Sequence, residues 1–162
     1  MKTAAIILIV LVLAVGGVLM YGLFHTRLEI IGKGLQTLPA AEDGARFEAL
    51  RTAVERQSLM GTKVKSGPLG SAADYSFYVY TLRLKNSGLV TAKMVELQIS
   101  PGPGDVLFYG EEGETDLAPG ATRDVWCVLL TEGKPTPVRE IYVTYYLWGH
   151  PQEVKFTYDP SL

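Results

Sequence analysis

Catalysis and metal binding usually draw on histidine, cysteine or grouped carboxylates, and this 162-residue chain has two histidines and one cysteine. His25 follows a long apolar run and His150 sits in the turn Gly149-His150-Pro151, so neither has a neighbour at ligand spacing. A zinc site needs three or four Cys, His or carboxylate ligands, and no Cys or His pair supplies the start of one. Cys127 stands within Val125-Trp126-Cys127-Val128-Leu129-Leu130, where a small buried hydrophobe is expected. A dyad of Cys127 with His150 would require the thiol to leave that strand pattern. A lone cysteine permits no intrachain disulfide.

The densest polar group is Asp105, Glu111, Glu112, Glu114 and Asp116. These carboxylates would offer oxygen ligands to calcium if their loops folded together, but they lack the Asp-x-Asp-x-Asp-Gly spacing, and a solvated acidic loop is expected. Gly102 and Gly104 suggest a phosphate loop, yet Pro101 and Pro103 remove amide donors and no Lys-Ser or Lys-Thr follows. The chain is therefore expected to be no enzyme and to need no cofactor. Aromatic residues are the remaining ligand candidates. Trp126, Trp148, Tyr142 and Tyr146, with Tyr75, would form a platform for a glycan or peptide if several shared an exposed face. Core packing is the expectation for most of them, because strands covered on both sides need such residues.

The elements that must carry these residues are unevenly distributed along the chain. Overall 48% of the residues are hydrophobic and 20% charged, but residues 3–24 carry no charge and 18 of those 22 are hydrophobic. A helix over residues 4–24 would be about 30 Å long, the thickness of the hydrocarbon layer. Its thirteen Ile, Leu, Val and Phe residues favour insertion by about 4 to 8 kcal/mol before the glycines are discounted. A cleaved secretory signal is disfavoured, because its apolar stretch would be shorter and no good Ala-x-Ala site follows. Residues 1–24 are thus expected to be a retained anchor, with the lipid bilayer as partner. Gly16 and Gly17 lack Gly-x-x-x-Gly spacing, so no specific helix dimer is signalled.

Residues 25–162 hold 14 Lys and Arg against 17 Asp and Glu, which disfavours nucleic acid as a partner. Residues 25–70 read as a juxtamembrane tether containing an amphipathic helix over about residues 39–59. Phe47, Leu50 and Val54 share one face of it, Thr37 or a neighbour caps it, Pro39 suits its first turn, and Gly44 could delay its start. The apolar stripe is expected to pack on the domain body.

From Tyr75 the period becomes two. Tyr78, Tyr80, Leu82 and Leu84 oppose Thr81, Arg83 and Lys85, and Asn86-Ser87-Gly88 ends the strand. Further strands are expected over residues 91–100, 106–109, 122–130, 138–148 and 153–158, with a seventh over 28–31 or 62–65. Both faces of 138–148 are apolar or aromatic, which predicts a central or doubly covered strand. The fold class is mainly β: a single transmembrane helix, a short amphipathic helix, then an antiparallel β-sandwich of six to seven strands over residues 71–162.

Thr81-Leu82-Arg83-Leu84-Lys85-Asn86-Ser87-Gly88, the strand through Val95, and Leu117-Ala118-Pro119-Gly120 before an apolar strand resemble bacterial immunoglobulin-like or fibronectin type III-like modules, particularly cell-adhesion-related ones. The resemblance covers about residues 72–158 and lacks the immunoglobulin cysteine pair. It implies an immunoglobulin-like sandwich; the whole layout is also similar to small membrane-anchored bacterial proteins, which implies no activity. Such bodies are common in exported modules, so the chain is expected in the cell membrane, single-pass, with its N-terminus cytoplasmic and its C-terminal domain extracytoplasmic. The expected function is a non-enzymatic interaction or structural module engaging an unknown protein, with binding of a cell-wall glycan as the alternative. A pilin-like subunit is disfavoured, because the apolar run lacks an acidic residue and a preceding processing site.

Overall fold

The structure is a computed structural model that describes residues 2–24, 28–110, 115–133 and 138–159. Helix α1 (Lys2–Phe24) contains an apolar span, Thr3–Gly22, with mean hydropathy 2.8, in which Gly22 at its C-terminal end is buried against the rest of the described chain and the large apolar side chains are exposed. It is long and apolar enough to cross a membrane, and a helix that is apolar all round needs an apolar surrounding on every side.

Among the described residues, eight strands form two antiparallel sheets. The larger runs β1 (Leu28–Pro39), β3 (Tyr75–Asn86), β6 (Thr122–Glu132), β5 (Asp105–Gly110) and β2 (Thr62–Lys63) in spatial order. The smaller runs β4 (Lys93–Ile99), β7 (Arg139–Leu147) and β8 (His150–Tyr158). A mainly β sandwich behind an N-terminal apolar helix is therefore what the chain forms, and both candidates for a seventh strand are strands.

The alternation of side chains explains the layers. Tyr78, Tyr80, Leu82 and Leu84 of β3 meet Val125, Cys127 and Leu129 of β6, Val95, Leu97 and Ile99 of β4, and Ile141, Val143, Tyr145 and Leu147 of β7 in one core between the sheets. The opposite faces of β3 and β6 present Phe77, Val128 and Leu130 to a second cluster. Helix α2 (Gly44–Glu55) covers that cluster with Phe47, Leu50 and Val54, as its spacing requires. The doubly covered strands are thus β3 and β6. Strand β7 is central in its sheet, but its outer row of Tyr142, Thr144 and Tyr146 stays partly open to solvent.

The helix cap differs from expectation. Asp43 is the N-cap and accepts from the Arg46 amide at 3.2 Å, so the helix starts at Gly44. Thr37 and Pro39 belong to β1, paired with Tyr78 and Ser76. A ladder of eleven residue pairs to β3 outweighs the local helix signals, and proline is tolerated there because β1 is an edge strand.

The two-sheet body has one end near α1 and one remote from it. Leu28, four residues beyond Phe24, pairs with Asn86, and Lys93 pairs with Tyr146 just before the β7–β8 turn. This near end gathers the turns after β3, before β6 and after β7. The far end gathers the starts of β3, β5 and β7.

Candidate functional site

At the far end, the two sheets are joined by a buried ion pair. Arg139 donates to Asp105 through Nη1 to Oδ2 at 2.7 Å and Nη2 to Oδ1 at 2.8 Å. Asp105 also accepts from Thr131 Oγ1 at 3.0 Å and from the Gly102 amide at 2.6 Å. Its side chain is 0% exposed and that of Arg139 2% exposed. Asp105 stands on β5 and Arg139 on β7, so the pair ties one layer to the other. Arg139 Nε is the buried side-chain polar atom that lacks a hydrogen-bond partner among the described residues. Burial pushes the nearby Tyr80 hydroxyl above its ordinary pKa, and the Arg139 charge opposes that shift.

The carboxylates considered for calcium are accordingly dispersed in role. Asp105 is committed to Arg139, and Asp116 Oδ1 accepts from the Met94 amide at 3.1 Å. Glu111, Glu112 and Glu114 lie outside the described residues. Among the described residues no group of three or more His, Cys, Asp or Glu is arranged to hold a metal ion.

Cys127 is fully buried in the core between the sheets. Burial pushes its thiol pKa up to about 12, so it stays neutral at physiological pH. His150 is exposed at the near end, on the other side of the β7–β8 turn from Leu147. His25 lies outside the described residues.

The aromatic candidates divide between layers. Trp126 is half-buried beside the α2 cluster on the larger sheet, and Tyr75 is buried there, its ring 5.5 Å from that of Phe47. Tyr142 and Tyr146 lie on the outer face of the smaller sheet, and Trp148 occupies the tip of the β7–β8 hairpin. Beside Tyr146 is a shallow groove of about 350 Å³ lined also by Glu96, Gln98, Thr144 and Glu153. Glu140 takes a hydrogen bond from Lys155 and another from Tyr142, which hold its carboxyl below the usual range.

A larger groove of about 410 Å³ opens between β4 and β5, with Met60, Glu96, Gln98, Phe108 and Tyr109 on its walls. Strand β4 is an edge strand whose one ladder partner is β7. Its first half is also held by loop bonds, with Ala92 bonded to Leu117 and the Val95 amide to Thr115. The following residues, Glu96 to Gln98, border the groove. Neither this edge nor the Asp105–Arg139 pair was apparent from spacing. A charge at the very start of an apolar strand, as with Asp105 before Val106 and Arg139 two positions before Ile141, is the signal that could have marked the pair.

The near end is organised by a neutral group. Asn86, fully buried, donates from Nδ2 to the carbonyls of Val90 at 2.7 Å and Leu117 at 2.8 Å, while its Oδ1 accepts from the Gly88 amide at 2.9 Å. One side chain thereby joins the turn after β3 to the segment before β6, using the Asx turn expected of Asn-Ser-Gly.

No protein-family model matches the chain, and no curated protein sequence matches it. The chain is similar to the crystal structure of a FixG-related protein from Vibrio parahaemolyticus, at 13% identity over 80% of this chain and 97% of that one, with a TM-score of 0.36. A likeness that distant carries no argument about function. The class defined by the fold is a mainly β protein with two packed antiparallel sheets and an N-terminal apolar helix.

Proposed function

We propose that the chain is a single-pass membrane protein of the cell membrane, its N-terminus cytoplasmic, which holds an immunoglobulin-like sandwich on the extracytoplasmic side as a non-enzymatic interaction or structural module. The observation that carries this reading is the division of labour among its polar groups. Asp105, Arg139, Asn86 and Asp116 are bound to structural partners, whereas the second half of β4 offers backbone to a groove between the layers. An edge strand accepts a partner strand through main-chain bonds, which need no distinctive side chains. An uncovered apolar helix supplies the location, since its side chains favour lipid over water.

A photo-crosslinking residue placed at the exposed Gln98 of β4, in the full-length protein in intact membranes, tests the interaction. An adduct with a second polypeptide is expected there and not from the same residue at Thr157 of β8. No adduct from either position would sink the interaction reading.

The glycan alternative has one specific support, Tyr146 in a groove with Glu96, Gln98 and Glu153 and with Tyr142 paired to Gln98 alongside, because rings flanked by carboxylates and amides suit a sugar's apolar face and hydroxyls. Titration of the full-length protein with cell-wall glycans should then alter aromatic fluorescence; a flat response across the panel rejects it.

A further inference from the structure

The turns at the near end carry large apolar side chains that the described residues leave largely uncovered. Leu89, in the turn after β3, is 69% exposed, and Trp148, at the tip of the β7–β8 hairpin, is 66% exposed. Met94 and Tyr146 flank them and are also exposed. Trp148 is unusual for its backbone as well, with φ +53 followed by Gly149 at φ +78. Such a two-residue turn favours Asn, Asp or Gly at its first position, and a bulky side chain there is strained. Two thirds of this strained residue's surface is left open by the described residues.

The position of α1 says what lies opposite these side chains. Only residues 25–27 separate α1 from β1, and Gly22 is buried against the domain: a Cβ on it would lie 3.4 Å from Leu89 Cδ1. The apolar window of α1 ends at this same Gly22. Twenty residues at 1.5 Å each match the hydrocarbon layer of about 30 Å, so the Gly22 end of α1 marks one boundary of that layer. Leu89 touches the helix at that depth.

The geometry points to a lipid-seated near end: Leu89 and Trp148 enter the interfacial region of the bilayer that α1 spans, so that the sandwich rests on the membrane surface by one end. The partner is the phospholipid interface itself, where indole rings are favoured because one edge is apolar and the N–H remains wet. Lys85 and Lys93 are exposed at this end together with Glu29 and Asp116, so neither sign dominates and the seat holds on zwitterionic as well as anionic lipid. The long axis of the strands then leads away from the membrane, which carries the Asp105–Arg139 end outward. This inference rests on α1 spanning a bilayer.

The test uses full-length protein in nanodiscs, with phospholipids brominated high on the acyl chains as quenchers. In Trp126→Phe, Trp148 is the sole tryptophan; in Trp148→Phe, Trp126 is. A third variant, Trp126→Phe with Trp148→Phe and Tyr21→Trp, reports α1. Bromination is expected to remove roughly half of the Trp148 emission and of the Tyr21→Trp emission, while leaving Trp126 unchanged, as interfacial indoles require. If the Tyr21→Trp reporter is quenched and Trp148 is not, the lipid seat is wrong and the anchor stands. If neither is quenched, α1 is not in the bilayer and both readings fall.

Discussion

At the far end of the sandwich a carboxylate and a guanidinium, both excluded from water, hold one sheet to the other, while at the near end a neutral amide, Asn86, gathers the turns. The difference lies in what each arrangement costs when broken. Two buried charges stabilise little beyond an apolar pair of similar volume, because desolvation offsets their attraction, yet either charge alone is severely destabilising. A buried amide loses only its hydrogen bonds, each worth far less. The far end is therefore locked in an all-or-none way. The near end is held by neutral hydrogen bonds between turns, which leave its tips free to carry Leu89 and Trp148.

The largest expected effect follows at the far end. Arg139→Met leaves Asp105 buried without its cation and should lower stability by about 3 to 5 kcal/mol in denaturant unfolding. The double variant Arg139→Met with Asp105→Leu should recover most of that loss. A single-variant loss below about 1 kcal/mol would show that the two charges are not mutually dependent.

Asn86→Ala comes next, at about 1 to 3 kcal/mol, because the Val90 and Leu117 carbonyls and the Gly88 amide lose their partner. Hydrogen exchange should quicken at Ala92 and Leu117, which bond each other, and stay slow at Glu132, whose amide donates to Gly104 at the far end. Equal acceleration at both ends would erase the distinction between them.

A smaller effect concerns the core that the ends enclose. With its thiol held neutral, native Cys127 should react with a thiol reagent at pH 7 at least tenfold more slowly than in denaturant, since the thiolate is the reactive form. Rapid native labelling would mean that the sheets part locally.

The smallest effect is on pH. Arg83 binds Asp124 with Nε at 2.7 Å and Nη2 at 2.8 Å, holding its carboxyl below the ordinary 3.8. A carboxylate with its pKa lowered by folding stabilises the protein above the unfolded value and loses that contribution as pH falls through the folded one. Asp124→Asn should thus lower Tm slightly at pH 6, and the gap should close below about pH 4. Both side chains are largely exposed, so the gap is small and shrinks further with salt.

Much of the layering was legible in the sequence because it follows from period alone. Tyr78, Tyr80, Leu82 and Leu84 line one face of β3 whatever they pack against, and Phe47, Leu50 and Val54 need a single surface. The length of β1 was not legible, because Gly32, Lys33 and Gly34 look like a tether; the bulge between Ile30 and Gly32 and the ladder to β3 turn it into an edge strand. Asp105 and Arg139 are 34 positions apart, and only the three-dimensional crossing of β5 and β7 brings them together. Trp148 was legible only as an aromatic candidate, with core packing the favoured reading; its exposure and its relation to Leu89 and Gly22 depend on the end at which three separate turns meet.

The most direct measurement of the central claim, that α1 holds the sandwich on the extracytoplasmic face of a membrane, uses a reporter thiol at the exposed Gln152. Cys127 is silent in the folded core, so Gln152→Cys in the full-length protein reads location without further substitution. A membrane-impermeant maleimide added to intact cells should label it fully, with the labelled protein remaining in carbonate-washed membranes. Labelling only after the cells are opened, or release of the labelled protein by carbonate, would contradict the account.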